Sequence, residues 1–242
     1  MVKPVLSVVA PCYNEEKSVP LIAQAFSTAI GKRRGIEVIL VDNGSADGTQ
    51  TEIKKQAKKY SFIKLVVVKK NIGYGFGIHS GLKHAAGEYV VWTHADLQTN
   101  PADVIKALEI ILKQEKPEKC FVKGKRKGRP FFDVFFTLGM AVFESVLLRK
   151  VLYDINAQPN LFHRSFLEKV PNPPNDFSFD LYFYYMAKRM GYKTIRFPVE
   201  FRKRVFGQSH WNTGLKQTWK FIKRTLEYSI KLRKSLEEES HA

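Results

Sequence analysis

The sequence predicts an α/β protein with a mostly parallel central sheet flanked by helices, and three observations carry that expectation. Short apolar, β-branched runs alternate with helical patterns along the first half of the chain. The runs are mainly apolar, as expected of strands buried on both faces. The polar clusters follow the runs directly, at the carboxyl ends of strands, where open parallel sheets bind ligands.

Element by element, residues 5–10, 36–41, 63–68, 89–92 and 120–122 read as five buried strands. Helices are expected over 19–30, with Ser18 as N-cap and Gly31 as stop, then over 49–60, 74–86 and 101–112. Beyond about residue 125 the alternation gives way to long helices at 131–153 and 176–190, with a strand at 193–201 between the second and a final helix. Asn212 or Thr213 is the expected cap of that helix, which runs to about Lys234. The organisation is a single domain over 1–234, with a nucleotide-binding half at 1–125 and an acceptor half at 126–234, and a tail at 235–242.

Composition limits the function. With 44% hydrophobic and 13% aromatic residues among 242, a packed core is feasible. Cys12 and Cys120 sit in apolar, strand-like contexts, so no disulfide framework is implied and a reducing, cytoplasmic compartment fits. No secretory leader is visible. The longest uncharged helical run, 134–143, falls short of the roughly 20 residues a span needs. The net charge of +17 points to anionic company: nucleic acid, an anionic membrane surface or phosphate-bearing substrates. The carboxylates gathered at strand ends and the lack of an RNA-binding signature argue against nucleic acid.

Four motifs carry the chemistry. Pro11-Cys12-Tyr13-Asn14-Glu15-Glu16 offers a ring to stack on a base and carboxylates for ribose or base donors, though acids also suit an ordinary strand-to-helix turn. Val41-Asp42-Asn43-Gly44-Ser45 places an acid–amide pair where a base edge could be read, or where a helix is merely capped. His94-Ala95-Asp96-Leu97-Gln98 sets Asp96 and Gln98 on one side of an extended segment, where two oxygens face one divalent ion. A capping role before Pro101, with Asn100 as the cap, is its alternative. Gly73-Tyr74-Gly75-Phe76-Gly77 implies close backbone approach to a ligand or a helix rather than a phosphate loop.

In this order and spacing the motifs resemble glycosyltransferase family 2, the inverting transferases of GT-A fold. The nearest likeness is to the polyprenol-phosphate sugar synthases, of which the dolichyl-phosphate mannose synthases are the type. The likeness covers nearly the whole chain. It implies a nucleotide-sugar donor held by Pro11, Tyr13, Glu15, Val41, Asp42 and Asn43, with His94 and Ala95 beside the sugar. It implies Mg2+ or Mn2+ at Asp96 and Gln98. Gly124-Lys125-Arg126 matches a basic segment of the family, and residues 204–210 match a later one, so Arg126, Arg204 and His210 are expected on phosphates. Three residues depart from the family pattern. Asn43 stands where a second Asp is usual, His94 where the first acid of the metal segment is usual, and His210 where Lys is usual.

The implied activity is transfer of the sugar to a polyprenyl phosphate, peripherally at the inner membrane face. A saccharide or other alcohol acceptor, or nucleotide-sugar binding without catalysis, is the alternative. An alcohol acceptor needs a base, for which Asp180 is the candidate; a phosphate needs none. Asp180 equally suits the first turn of a helix. The final helix carries an apolar stripe at Leu215, Trp219, Ile222, Leu226 and Ile230 flanked by lysines, which fits anionic lipid or a core-facing stripe with a solvated basic face.

Overall fold

The structure, a computed structural model, describes residues 3–128, 131–202 and 223–234. Its strands are β1 (Leu6–Cys12), β2 (Ile36–Asn43), β3 (Ile63–Val68), β4 (Tyr89–Trp92), β5 (Cys120–Lys127), β6 (Asn160–His163) and β7 (Lys193–Glu200). They form one sheet in the order β3-β2-β1-β4-β6-β5-β7. Every pairing is parallel except those of β6, which runs antiparallel to both β4 and β5. All strands but β6 therefore point the same way, and their carboxyl ends share one edge.

Helices α1 (Val19–Ile30), α2 (Thr49–Lys59), α3 (Tyr74–His84), α4 (Pro101–Leu112), α5 (Phe131–Leu147) and α6 (Ser178–Arg189) accompany the sheet. The two-residue period of β1 sorts the core. Leu6, Val8 and Ala10 pack with Ile22 and Phe26 of α1 and Val104 and Leu108 of α4. Val9 turns to the other layer, with Ile78 and Leu82 of α3 and Phe179 and Phe183 of α6. The central strands are covered on both faces, as their mainly apolar runs predict, whereas β3 at the edge exposes Lys64 and Val67.

The differences from the expected elements have local causes. β2 extends to Asn43 and β5 to Lys127, because each continues to pair along a parallel neighbour. The basic residues after Val122 thus lie on a strand, and Lys123 is fully buried. β6 was not expected; it has four residues and follows Pro159, too short for a periodic signal. α5 stops at Leu147 rather than 153. Arg149 takes a left-handed φ of 51°, and the Ser145 hydroxyl both accepts from Leu152 N and donates to Ala141 O, folding the chain back. Ser18 does not cap α1; its hydroxyl donates to a Glu15 carboxylate oxygen at 2.5 Å.

Of the final helix, residues 223–234 are described and helical. Thr225, Ser229 and Leu232 face inward, which leaves the Leu226–Ile230 side of the expected stripe turned away from the core, with Ile230 exposed. The proposed caps Asn212 and Thr213, and Leu215, Trp219 and Ile222, lie outside the described residues. α5 also bares an apolar side, at Val134, Phe135, Leu138, Val142 and Val146, with Phe135 69% and Val146 72% exposed. Arg233 Nη1 donates to Leu147 O at 2.9 Å, so the two helices are neighbours. No helix among the described residues is long and apolar enough to cross a membrane.

At the opposite edge of the sheet a buried carboxylate ties three strands together. Glu37 of β2 accepts from Ser7 Oγ of β1 and from Ala86 N ahead of β4, and pairs with Lys64 of β3 at 2.5 Å. Gly87 N donates to the same Ser7 hydroxyl, and a Cβ at Gly87 would lie 2.5 Å from Ser7 N. Burial opposes the Glu37 charge, but the Lys64, Ser7 and Ala86 contacts outweigh it and hold its carboxyl below the usual range. The stability it adds is therefore present above the unfolded carboxyl pKa and is lost as pH falls through the lower folded value. Glu37→Gln should cost about 1–3 kcal/mol at neutral pH. In thermal melts across pH, the gap to the parent should close in acid.

Candidate active site

The first two motifs interlock at the carboxyl ends of β1 and β2. Asn14, at a left-handed φ of 55°, accepts from Ala46 N, and its own N–H donates to Ser45 Oγ. Glu15 N donates to Thr49 Oγ1, and Glu16 N to Asp47. Asp42 accepts from Ser45 N at 3.0 Å. Backbone groups of each loop are thus satisfied by side chains of the other, which holds Tyr13, 39% exposed, at the rim. Pro11 and Val41 are register partners just beneath, with Val41 buried.

Asn43 is placed differently from the expectation of a base-reading amide. It is buried, its Nδ2 donates to Gly73 O at 3.0 Å, and a Cβ on Gly77 would meet its amide at 2.8 Å. Asn43 thus anchors the start of α3. The glycine-rich motif serves the same packing. A Cβ at Gly75 would lie 2.4 Å from Pro174 O and 2.7 Å from Asp176 O, and Phe76 N donates to Asn175 O. Its close approach is to the loop before α6.

The metal segment is a tight bend, not the extended stretch expected. Leu97 has a φ of 60°, a left-handed conformation unfavourable for a bulky residue, and Asp96 Oδ1 accepts from Gln98 N at 3.0 Å. The bend makes Asp96 and Gln98 close neighbours by folding rather than by alternation. Asp96 is buried at 4% exposure, and Gln98 is partly buried. Gln98 Nε2 donates to Arg202 O and Arg202 N donates to Gln98 O, tying the exit of β7 to this bend. A carboxylate and an amide suit a hard divalent cation that takes its remaining ligands from phosphates and water. Among the described residues no group of three or more His, Cys, Asp or Glu is arranged to hold a metal. Ala95 is buried and His94 half-buried, its ring centroid 6.3 Å from that of Tyr74. Asn100 caps α4, accepting from Ala102 N, as the capping reading of this stretch expects.

Arg126 is half-buried and Asp180 fully enclosed. Arg126 donates to Asp154 through Nε at 2.7 Å, through its backbone N at 2.9 Å and through Nη2. Arg196 approaches the same carboxylate at 3.7 Å. Burial works against the Asp154 charge, but Arg126 outweighs it and keeps the carboxyl below its usual range. Asp180 is 2% exposed and accepts from Trp92 Nε1 at 2.8 Å and Asn160 Nδ2 at 3.1 Å. Burial raises its pKa. The structure places it beneath the site, without the open face a base would present. Arg204 and His210 lie outside the described residues. Sequence reasoning missed Asp154, whose one signal was a lone acid in a stretch that follows the basic cluster.

Parallel strands with polar loops at one edge, and a carboxylate-bearing bend after β4, make up an α/β fold of the GT-A type. The chain belongs to glycosyl transferase family 2, whose family model matches residues 7–170. It is 24% identical over 212 residues to the undecaprenyl-phosphate 4-deoxy-4-formamido-L-arabinose transferase of Klebsiella pneumoniae, covering 86% of this chain and 62% of that one. It is 30% identical over 126 residues to the dodecaprenyl-phosphate galacturonate synthase of Rhizobium johnstonii, covering 51% and 36%. The chain therefore spans less than two thirds of the length of these relatives. Its fold is similar to that of glucosyl-3-phosphoglycerate synthase from Mycobacterium tuberculosis in complex with Mn2+ and UDP (TM-score 0.73, 18% identity, 96% of this chain and 80% of that one). It is also similar to a mannosyltransferase from Pyrobaculum calidifontis in complex with GDP-Man and Mn2+ (TM-score 0.65, 23% identity, 87% and 59%).

Because Asp154 compensates two guanidinium groups, its loss leaves buried positive charge unpaired. Asp154→Ala should cost about 3–5 kcal/mol. Chemical denaturation at neutral pH reads this, and a loss under 1 kcal/mol would show that Arg126 is held by other contacts.

Proposed function

We propose that this protein transfers a sugar, with inversion, from a nucleotide-sugar donor to a polyprenyl phosphate at the cytoplasmic membrane face. The observation that carries the reading is the strained bend at Leu97, which brings Asp96 and Gln98 together beside the interlocked loops after β1 and β2. Tyr13, Glu15 and Asp42 form the nucleoside end, and His94 and Ala95 stand where the sugar would lie. Asp96 and Gln98 would hold Mg2+ or Mn2+. When bound, the ion neutralises charge that develops on the departing diphosphate.

The acceptor phosphate oxygen bonds to the anomeric carbon as the bond from that carbon to the diphosphate breaks. No proton leaves the nucleophile, so no base is required, consistent with the enclosed position of Asp180. Two anions meet at the reacting carbon, and their repulsion must be screened. Arg126 faces this task from the end of β5, oriented by Asp154, and Arg204 and His210 follow from the segment after β7.

The bared side of α5 supports a lipid-borne acceptor. It continues into Val151, 79% exposed, and Tyr153, the residue before Asp154, with Arg149 and Lys150 exposed between. An apolar strip with basic flanks that ends beside Arg126 suits an anionic bilayer. Ile230 with Lys223, Lys231 and Lys234 extends it from the neighbouring helix.

A sugar-transfer assay with undecaprenyl phosphate, undecaprenol and simple saccharides in parallel tests the acceptor. Labelled product is expected from the lipid phosphate; product from saccharides instead would reject this acceptor. Asp96→Ala should abolish Mn2+-dependent binding of UDP or GDP in calorimetry, and unchanged affinity would refute the metal assignment. Replacing Phe135 and Val142 by Ser should reduce cosedimentation with phosphatidylglycerol vesicles, as should Glu at Lys223, Lys231 and Lys234, each lysine being worth about 1 kcal/mol. Equal sedimentation of the folded variants would count against the membrane surface.

A further inference from the structure

Behind the site lies a group of buried polar side chains with no place in the transfer reaction. Lys123, fully buried on β5, donates to Ala157 O at 2.6 Å and to Asn160 Oδ1 at 2.7 Å. The Asn160 amide donates in turn to Asp180 Oδ1, which also receives the Trp92 indole N–H. The Tyr74 hydroxyl hydrogen-bonds to Asp180 and receives the Gln158 amide. A cation and an anion are thus joined through one amide. The links run across β4, β5, β6, α3 and α6.

Position gives this group its meaning. Trp92 ends β4 and leads directly into His94-Ala95-Asp96, and Lys123 leads directly into Gly124-Lys125-Arg126. The Trp92 indole ring also meets Phe162, Phe179 and Phe183 at 5.7, 5.3 and 5.1 Å, in edge-on contacts. Ring packing tolerates small shifts, whereas an indole N–H bonded to a carboxylate fixes both distance and direction. A buried ion pair brings little net stability over apolar side chains of similar size. Burial drives both partners toward neutrality, pushing Lys123 down to about 7 and Asp180 upward. What the arrangement supplies is directional constraint.

We propose that the Lys123–Asn160–Asp180–Trp92 chain, with Tyr74, is a positioning network that holds the Asp96 bend at the separation from β5 that metal-assisted diphosphate binding requires. This inference rests on the donor reading given above. Asp180 then acts through Trp92 and does not touch the substrate.

The experiment removes both charges together, as Lys123→Met with Asp180→Leu, because removing one alone would strand the other. Melting of the protein without ligand shows whether the fold survives. Calorimetry then compares UDP and GDP, each with and without Mn2+, and the matching monophosphates. The nucleoside loops after β1 and β2 are held by hydrogen bonds to each other, so monophosphate affinity should be unchanged. The gain in diphosphate affinity due to Mn2+ should fall roughly 10–100-fold, the usual effect of removing groups that orient metal ligands. Tyr74→Phe, which keeps its ring stacked on Phe177 at 4.9 Å, should lower the same gain to a smaller extent. It decides the matter should the double variant not fold. An unchanged Mn2+ gain, or an equal loss for monophosphate and diphosphate, overturns the proposal while leaving the donor reading intact. If the parent protein binds none of these nucleotides, the donor reading fails and the network proposal falls with it.

Discussion

Strands β1, β2 and β4 are buried on both faces, so their side chains have no room for polar chemistry until the strands end. This confinement decides where everything else can lie. Polar residues are displaced to the two edges of the sheet. At one edge they become structural, as Glu37 shows by gathering Ser7, Lys64 and the turn before β4. At the carboxyl edge the loops carry the carboxylates and amides of the site. Because β6 alone runs antiparallel, the ends of β4 and β5 fall on the same edge although an intervening strand separates them. The Asp96 bend and the basic strand end are brought to one edge by that topology.

The site is held by charges that the protein encloses. The Arg126 side chain directs Nε and Nη2 to Asp154, and Lys123 and Asp180 compensate each other through Asn160. Enclosed charges stabilise little in net terms but admit few alternative geometries. The same economy explains the glycines. Gly75 and Gly77 let α3 approach the 174–176 loop and Asn43 so closely that any side chain would collide with backbone or amide. The first half of the chain and the segment before α6 are thereby packed into one body.

The outer surface complements this interior. α5 is apolar outward as well as inward, and the helical stretch 223–234 turns Ile230 and three lysines away from the core. A soluble substrate would need neither feature. For a phosphate carried on a lipid, a bilayer resting on these helices would deliver the headgroup beside Arg126 with its tail already accommodated.

Much of this was legible from residue order. Mainly apolar, β-branched runs identified β1 to β4, the Asn100-Pro101 pair marked the start of α4, and the polar clusters after the strands pointed to the candidate site. β6 was not legible, since four residues carry no period. The left-handed Leu97 was not legible either, since leucine does not announce that conformation. Asn43, Asp180 and Lys123 could be named as chemical candidates, yet whether each faces ligand or core depends on what packs against it. By itself the sequence determined the alternation of strands and helices and the edge where polar groups collect, because burial on two faces or one imposes a local period. Only the tertiary structure decided which distant charges meet, Arg126 with Asp154 and Lys123 with Asp180, because those pairings depend on strand order and register set by packing across the whole sheet.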